Sequence, residues 1–283
     1  MMGVYEPMTG AWIMASVTFR EAARKRVLWM ALIAGAAFLA LFGVGLHFQA
    51  KDILQHVHNL VARRQILDVT LMMGFYAADL LTVVMAILTS ADTLSGEIAS
   101  GAIHAVATKP ITRRQILLGK WLGFTAMLTV YIILMLGGVA CLAYVMSGVT
   151  ARFLLRGLVL VWLESILVLN LTLLCGTAFS TLTNGVIVLG LYGMAFLGGW
   201  IEQIGALTHS PRAVDTGIIA SLIMPSESLW RRAAFEMQSP LLGAINSPFS
   251  NASVPSLTMV GYACAYLLVA LFLALHQFRV RDL

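Results

Sequence analysis

Six stretches of this chain, Val27 to Phe48, Leu71 to Thr89, Trp121 to Met146, Phe153 to Phe179, Gly185 to Ile201 and Leu257 to His276, are apolar and nearly free of charge. Each is close to the roughly 20 residues that carry a helix across about 30 Å of hydrocarbon. A lipid-exposed backbone must satisfy its N–H and C=O groups within the segment, which a helix does and an open strand does not. The pattern therefore predicts an all-α polytopic membrane protein with six transmembrane helices. Composition agrees: 11% of the 283 residues are charged and mean hydropathy is +0.89, where a soluble domain carries about 25% charge.

Six spans place both termini on one side, and charge decides which. With the termini inside, the inner segments hold ten cations (Arg20, Arg24, Lys25, Arg26, Lys109, Arg113, Arg114, Lys120, Arg279, Arg281). The outer segments hold eight, of which Arg212, Arg231 and Arg232 lie in a long loop. Long loops translocate largely regardless of charge, so the comparison over short loops and flanks is ten against five and favours cytoplasmic termini. The net charge of +5 sits at the ends of apolar runs. That suits lipid headgroups and gives little support for nucleic acid as a partner.

Residues 8–26 are amphipathic. Trp12, Ala15, Phe19 and Ala23 fall near one face and a basic cluster follows, which predicts an elbow helix in the interface leading into the first span. The first run is too long for a signal-peptide core and no small-x-small site follows it, so it reads as an uncleaved anchor.

Residues 92–121, DTLSGEIASGAIHAVATKPITRRQILLGKW, are the most structured connection. Ser95 to Thr108 offers an apolar face at Ile98, Ala102, Ile103, Ala105 and Val106 for a short surface helix. Pro110 ends it and turns the chain. Thr112 with Gln115 forms a capping box that starts the third span. The reading is surface helix, kink, membrane entry, spanning a cytoplasmic loop at 92–120. An ordinary helical connector fits these signals as well.

Two segments lie outside on this topology. Residues 49–70 read as a solvated loop helix; His56 and His58, two apart, point in different directions and make a poor metal pair. Residues 202–255 form a longer extracytoplasmic loop. Its apolar GIIASLIM patch is too short to span and either re-enters or rests on the membrane.

Asp79 falls near the middle of the second span and Glu164 near the middle of the fourth. A bare carboxylate there costs several kcal/mol, so each must face the bundle interior, pair, or be protonated. They are candidate substrate or ion contacts; alternatively they are structural, bonded to Thr82, Asn170, Thr172 or a tyrosine. Small residues four apart, such as Ala31 and Gly35, Ala195 and Gly199, and Gly261 and Ala265, with Gly190 and Gly193 nearby, suit close helix packing or a dimer face.

No chemistry of the chain's own is visible. Gly119-Lys120 is followed by Trp121 and lacks the leading glycine of a Walker A loop; H-E-x-x-H, G-x-S-x-G and dinucleotide-binding turns are missing too. Cys141, Cys175 and Cys264 all lie in apolar runs and suggest neither a disulfide framework nor a metal site. The expectation is therefore no catalytic residues, no cofactor and no metal.

Glu97, Gly101, Ile103, Lys109, Pro110, Ile111, Arg113, Leu118, Gly119 and Lys120 stand in an order that resembles the pattern after the second span of ABC type 2 exporter permeases. There an acidic residue and a glycine precede a (T/R)-P-(I/V)-(S/T)-R turn and a GK entry to the third span. The elbow TFREAARKRVLW resembles the start of the same family, especially the permeases related to the one in nitrous oxide reductase maturation. The resemblance implies a permease subunit of an ABC exporter in the inner membrane, without an ATPase motif of its own. It further implies a separate ATP-binding subunit that binds the ATP, and a second permease copy or paralogue as dimer partner. Glu97, Gly101, Pro110 and Arg113 would form the element coupled to the ATPase. The alternatives are a non-transporting membrane anchor or assembly factor for an enzyme complex, and an intramembrane enzyme using Asp79 and Glu164.

Overall fold

The structure, a computed structural model, describes residues 7–24, 26–99, 112–243 and 253–280. Among these, every regular element is a helix: α1 (Pro7–Arg24), α2 (Arg26–His56), α3 (Leu60–Ala99), α4 (Arg113–Ser147), α5 (Leu154–Ala178), α6 (Thr181–Leu207), α7 (Pro211–Ile223), α8 (Ser226–Met237), α9 (Pro240–Gly243) and α10 (Leu257–Val280). Six of them, α2 to α6 and α10, are long and apolar enough to cross a membrane. The all-α, six-span architecture is thus the observed one.

The bundle is organised around α5. This helix is apolar on all sides, and a helix of that kind belongs in the interior. It packs against α3, α4, α6, α8 and α10, and every residue from Glu164 to Leu173 is buried. By contrast α2 and α10 sit at the margin with most of their surface outward. Their exposed Leu41, Val44, Phe48, Leu268 and Phe272 are what a lipid-facing surface requires.

The elbow α1 packs on α4. A β-carbon at Gly123 would lie 2.9 Å from the Ala15 carbonyl oxygen and from Thr18 Cβ, so the glycine is what allows the backbones to approach. Ala15 and Thr18 are buried in that contact, while Trp12 is 72% exposed. Trp12 and Ala15 therefore have different surroundings: Ala15 meets protein, and Trp12 is left for the interface.

Two connections differ in form from the sequence expectation. Residues 49–70 are not a separate loop helix. α2 runs on to His56 and α3 begins at Leu60, with a break of only three residues. Asn59 Oδ1 accepts from the Val61 and Ala62 N–H groups at 2.9 and 3.4 Å and restarts the helix, and Arg63 folds back to donate to the Leu54 carbonyl at 3.1 Å. The polar residues thus extend two spanning helices beyond their apolar cores; α3, with 40 residues, is about 60 Å long. His56 bonds to Asp52.

Residues 202–255 likewise are not one loop. Their first residues complete α6, and α7 and α8 form a helical hairpin folded back on the spans. With 13 residues, α7 reaches only about 20 Å and does not cross. It lies along α6 through small residues: a β-carbon at Gly198 would meet Ala220 Cβ at 2.3 Å, and one at Gly205 would meet Ala213 Cβ at 2.7 Å. Gly190, Gly193 and Gly261 have no such neighbour within 4 Å. α8 is buried on nearly every side, with Trp230 among the largest fully buried side chains.

Candidate functional site

Consecutive spans alternate in direction, so the ends of α3 and α10 and the beginnings of α4 and α6 share one end of the bundle, here called the terminal end. Polar side chains join them. Ser95 and Thr181 hydroxyls lie 2.9 Å apart, and Thr181 donates to Asp92 Oδ1 at 3.2 Å, tying α3 to α6. Asn184 Nδ2 donates to the Ala91 carbonyl at 3.2 Å and the Thr172 carbonyl at 3.0 Å, adding α5. Thr177 donates to Gln277 Oε1 at 2.7 Å, adding α10. Buried Lys120 donates from α4 to the Thr93 carbonyl at 3.3 Å, and Arg113 to the Arg279 carbonyl at 3.3 Å. Further along, Trp121 donates to Asn170 Oδ1 at 2.7 Å while Asn170 donates to the Leu267 carbonyl at 2.9 Å.

This network brackets residues 100–111. On one side α3 continues through Ala99, so Ser95 to Ala99 is the last turn of the second span. On the other the capping box is present: Gln115 N–H donates to Thr112 Oγ1 at 3.3 Å, and Thr112 N–H donates to Gln115 Oε1 at 2.8 Å. Of the predicted coupling residues, Arg113 stands on α4 within the network. Gly101, Pro110 and the Glu97 side chain lie outside the described residues, as does most of the expected surface helix.

The second polar region lies halfway along the bundle. Asp79 on α3 and Glu164 on α5 are almost wholly buried, at 3% and 0% exposure.

 That burial follows from their positions on the two helices that pack most centrally, α3 and α5. A third carboxylate joins them from α8. Glu227 is 2% exposed and reaches the interior because α6 has a glycine opposite: a β-carbon at Gly199 would lie 2.2 Å from Glu227 Cγ. The three acids act electrostatically on one another.

Hydrogen bonds in this cluster are few. Tyr76 donates to Glu227 Oε1 at 3.1 Å. The Asp79 and Glu164 carboxyls are hydrogen-bonded to each other, and among the described residues no N–H or hydroxyl donor reaches either Glu164 oxygen or Oδ1 of Asp79. The structural partners available from sequence are engaged elsewhere: Thr82 donates to the Ala78 carbonyl, Thr172 to the Val168 carbonyl, and Asn170 bonds as described above. Arg231, the nearby cation, is bonded to Glu202 at 2.8 Å, and Glu202 accepts from Ser253 Oγ at 2.5 Å. Burial pushes the Glu227 carboxyl up to about 8, and the Arg231 charge pulls it back only in part.

Aromatic rings stand beside the acids. The Tyr76 ring makes edge contacts with Phe196 at 5.8 Å, Trp200 at 5.8 Å and Trp230 at 5.0 Å between centroids. Tyr76, Phe196 and Trp200 are only partly buried, so this aromatic group connects the acids with the lateral surface between α3 and α6.

The structure therefore brings Asp79 and Glu164 together, far from Arg113 at the terminal end. It adds Tyr76, Glu202, Glu227 and Arg231, which the sequence reading had not singled out. One signal for them was present: Glu227 and Arg231 are four apart in the SESLWRRAAFEM segment, the spacing of one helix face.

These features define a multi-pass helical membrane protein with a braced end and an acidic interior. The chain matches the model of the ABC-2 family transporter proteins over residues 12–283, and it belongs to that family. It is accordingly a permease of an ABC transporter, the membrane component and not itself the ATPase, and the family implies an ABC ATP-binding partner. No curated protein matches the chain.

Proposed function

We propose that this permease works in an ATP-driven exporter, with ATP bound by a separate subunit, in the cell (inner) membrane and with both termini cytoplasmic. It associates with a second permease copy or a paralogue. The observation that carries this reading is the bracing on either side of residues 100–111. A displacement of that segment enters α3 and α4 together, and the bonds to Thr181, Asn184 and Arg279 pass it to α5, α6 and α10. Coupling between sites needs such a contiguous physical connection with two arrangements available to it. The distribution of cations supports placing this end inside. Glu97, Gly101, Pro110 and Arg113 form the coupling element, and the branch related to nitrous oxide reductase maturation is the one that the elbow and turn resemble.

Co-purification tests the proposal. Tagged permease is expected to bring down an ATP-binding subunit, and the Glu97→Ala and Arg113→Ala variants to reduce both that association and the stimulated ATPase rate. If the variants bind and stimulate as well as the native chain, the coupling assignment is wrong.

A further inference from the structure

We infer that a pocket at the end of the bundle opposite the terminal end, where the start of α5 meets the end of α8, is a site for the phosphate group of an anionic lipid. The inference goes beyond the transporter reading and does not depend on it.

The pocket has a volume of about 170 Å³ and lies between Arg152 and Phe153 on one side and Phe235, Glu236, Gln238 and Ser239 on the other. That is several times the roughly 30 Å³ that a water molecule occupies in the liquid, room enough for a tetrahedral phosphate. Backbone bonds fix its walls: Arg152 N–H donates to the Met237 carbonyl at 3.0 Å and Phe153 N–H to the Glu236 carbonyl at 3.3 Å.

Charge decides the ligand. The Arg152 and Arg156 guanidiniums stand 4.9 and 4.6 Å from the centroid of one ring, that of Phe153, and Arg232 stands 5.4 Å from that of Phe235. Against these three cations there is one carboxylate, Glu236, shared by Arg156 at 3.4 Å and Arg232 at 2.7 Å; Arg152 has no carboxylate partner among the described residues. Asp68, which accepts from Ser239 at the rim, is already paired with Arg64 at 3.5 Å. The pocket therefore keeps an excess of positive charge. The start of α5 adds to it, since no side chain caps that helix end and its first N–H groups have no intrahelical acceptor. Arginine's planar fork matches the oxygens of a phosphate.

The adjacent surface selects a lipid as the carrier of that phosphate. Leu155, Arg156 and Val159 share one side of α5 by the three- and four-residue spacing of a helix, and Leu155 and Val159 are 76% and 50% exposed. The cationic pocket thus stands at the head of an apolar, membrane-facing strip that an acyl chain can follow. A free phosphate would use the arginines alone, whereas a lipid uses both.

The test is scintillation proximity on the tagged full chain in dodecyl maltoside, with tritiated dioleoyl-phosphatidylglycerol as probe. Saturable binding is expected. Dioleoylglycerol, which lacks the phosphate, and inorganic phosphate, which lacks the chains, should each compete far more weakly than the unlabelled lipid. Affinity should fall about fivefold in Arg152→Gln and in Arg156→Gln, the loss of one charge-assisted contact at an exposed site. It should stay unchanged in Arg212→Gln, an exposed cation on α7 outside the pocket. Matching gel-filtration profiles certify folding, and with two independent arginine variants the loss of one to misfolding leaves the other decisive. Absence of saturable binding, native affinity in the folded arginine variants, or equal competition by dioleoylglycerol overturns the site. Displacement by inorganic phosphate at the concentrations at which the lipid itself displaces overturns the lipid as its occupant. Binding is read without the ATP-binding subunit, so failure here leaves the coupling assignment standing, and failure of co-purification leaves this site standing.

Discussion

At the terminal end, Asn184 donates to two carbonyls and Ser95, Thr181, Thr177 and Gln277 all bond across helices, whereas halfway along the bundle the buried carboxyls of Asp79 and Glu164 are hydrogen-bonded to each other. Both regions take polar groups out of water, so the contrast is in what is done with them. Amide and hydroxyl groups that bond across helices in a low-dielectric interior hold them in one arrangement. Two carboxyls bonded to each other share one hydrogen, so the buried pair packs well only while it keeps that proton. The end of the bundle is thus built to move as a unit, and its middle holds an acid pair whose packing depends on a proton.

The comparison can be broken by mutation. The largest effect is expected at the border of the acidic region: Arg231→Ala leaves Glu202 buried without its cation and should cost about 3–5 kcal/mol, read as a large drop in melting temperature in detergent. Next comes pH. Burial holds the folded Glu227 carboxyl up at about 8 against an ordinary glutamate value of 4.5, so between these values the folded protein keeps a proton that the unfolded chain releases. Its contribution to stability is complete below about 4.5 and is lost as pH rises to about 8, on the order of 5 kcal/mol at most. The melting temperature of Glu227→Gln should vary less with pH over that window; an equal slope in both proteins would remove Glu227 as its source.

Within the braced end, Asn184→Ala removes two donors and should destabilise by about 1–3 kcal/mol, with hydrogen exchange rising at the end of α3 and the start of α6. Thr112→Ala removes the N-cap of α4 at a cost of about 1 kcal/mol, visible as faster exchange in its first turn. The smallest effect separates the two regions most sharply. Glu164→Gln should leave stability nearly unchanged, because the amide can still donate to Asp79; a loss comparable to that of Asn184→Ala would mean that the amide does not replace the carboxyl in that bond.

Much of this was legible in the sequence. The six apolar runs marked the spans, because a run of that length has few other stable homes. Thr112 and Gln115 marked the start of α4, because a capping box involves only neighbours in sequence. Asp79 and Glu164 were visible as charges in apolar surroundings. The helical ends were less legible: polar residues at 49–70 and 92–99 looked like breaks from the membrane, yet the spanning helices extend into them, with a break only at 57–59, because their backbone bonds are as good outside lipid as within. Glu227 was hidden because its segment is polar enough to pass for a solvated loop, and only its packing against α5 and α6 makes it interior.

The sequence alone determined the class of the protein, its number of spans and the position of its third-span cap, since hydrophobic length and local capping act within one segment. Which charges meet was decided by tertiary structure. Asp79 and Glu164 are 85 positions apart and Glu227 lies 63 further on, and whether such groups pair, stay unpaired or face a cargo depends on helix rotation and on close contacts such as that of Gly199 with Glu227, which no single segment encodes.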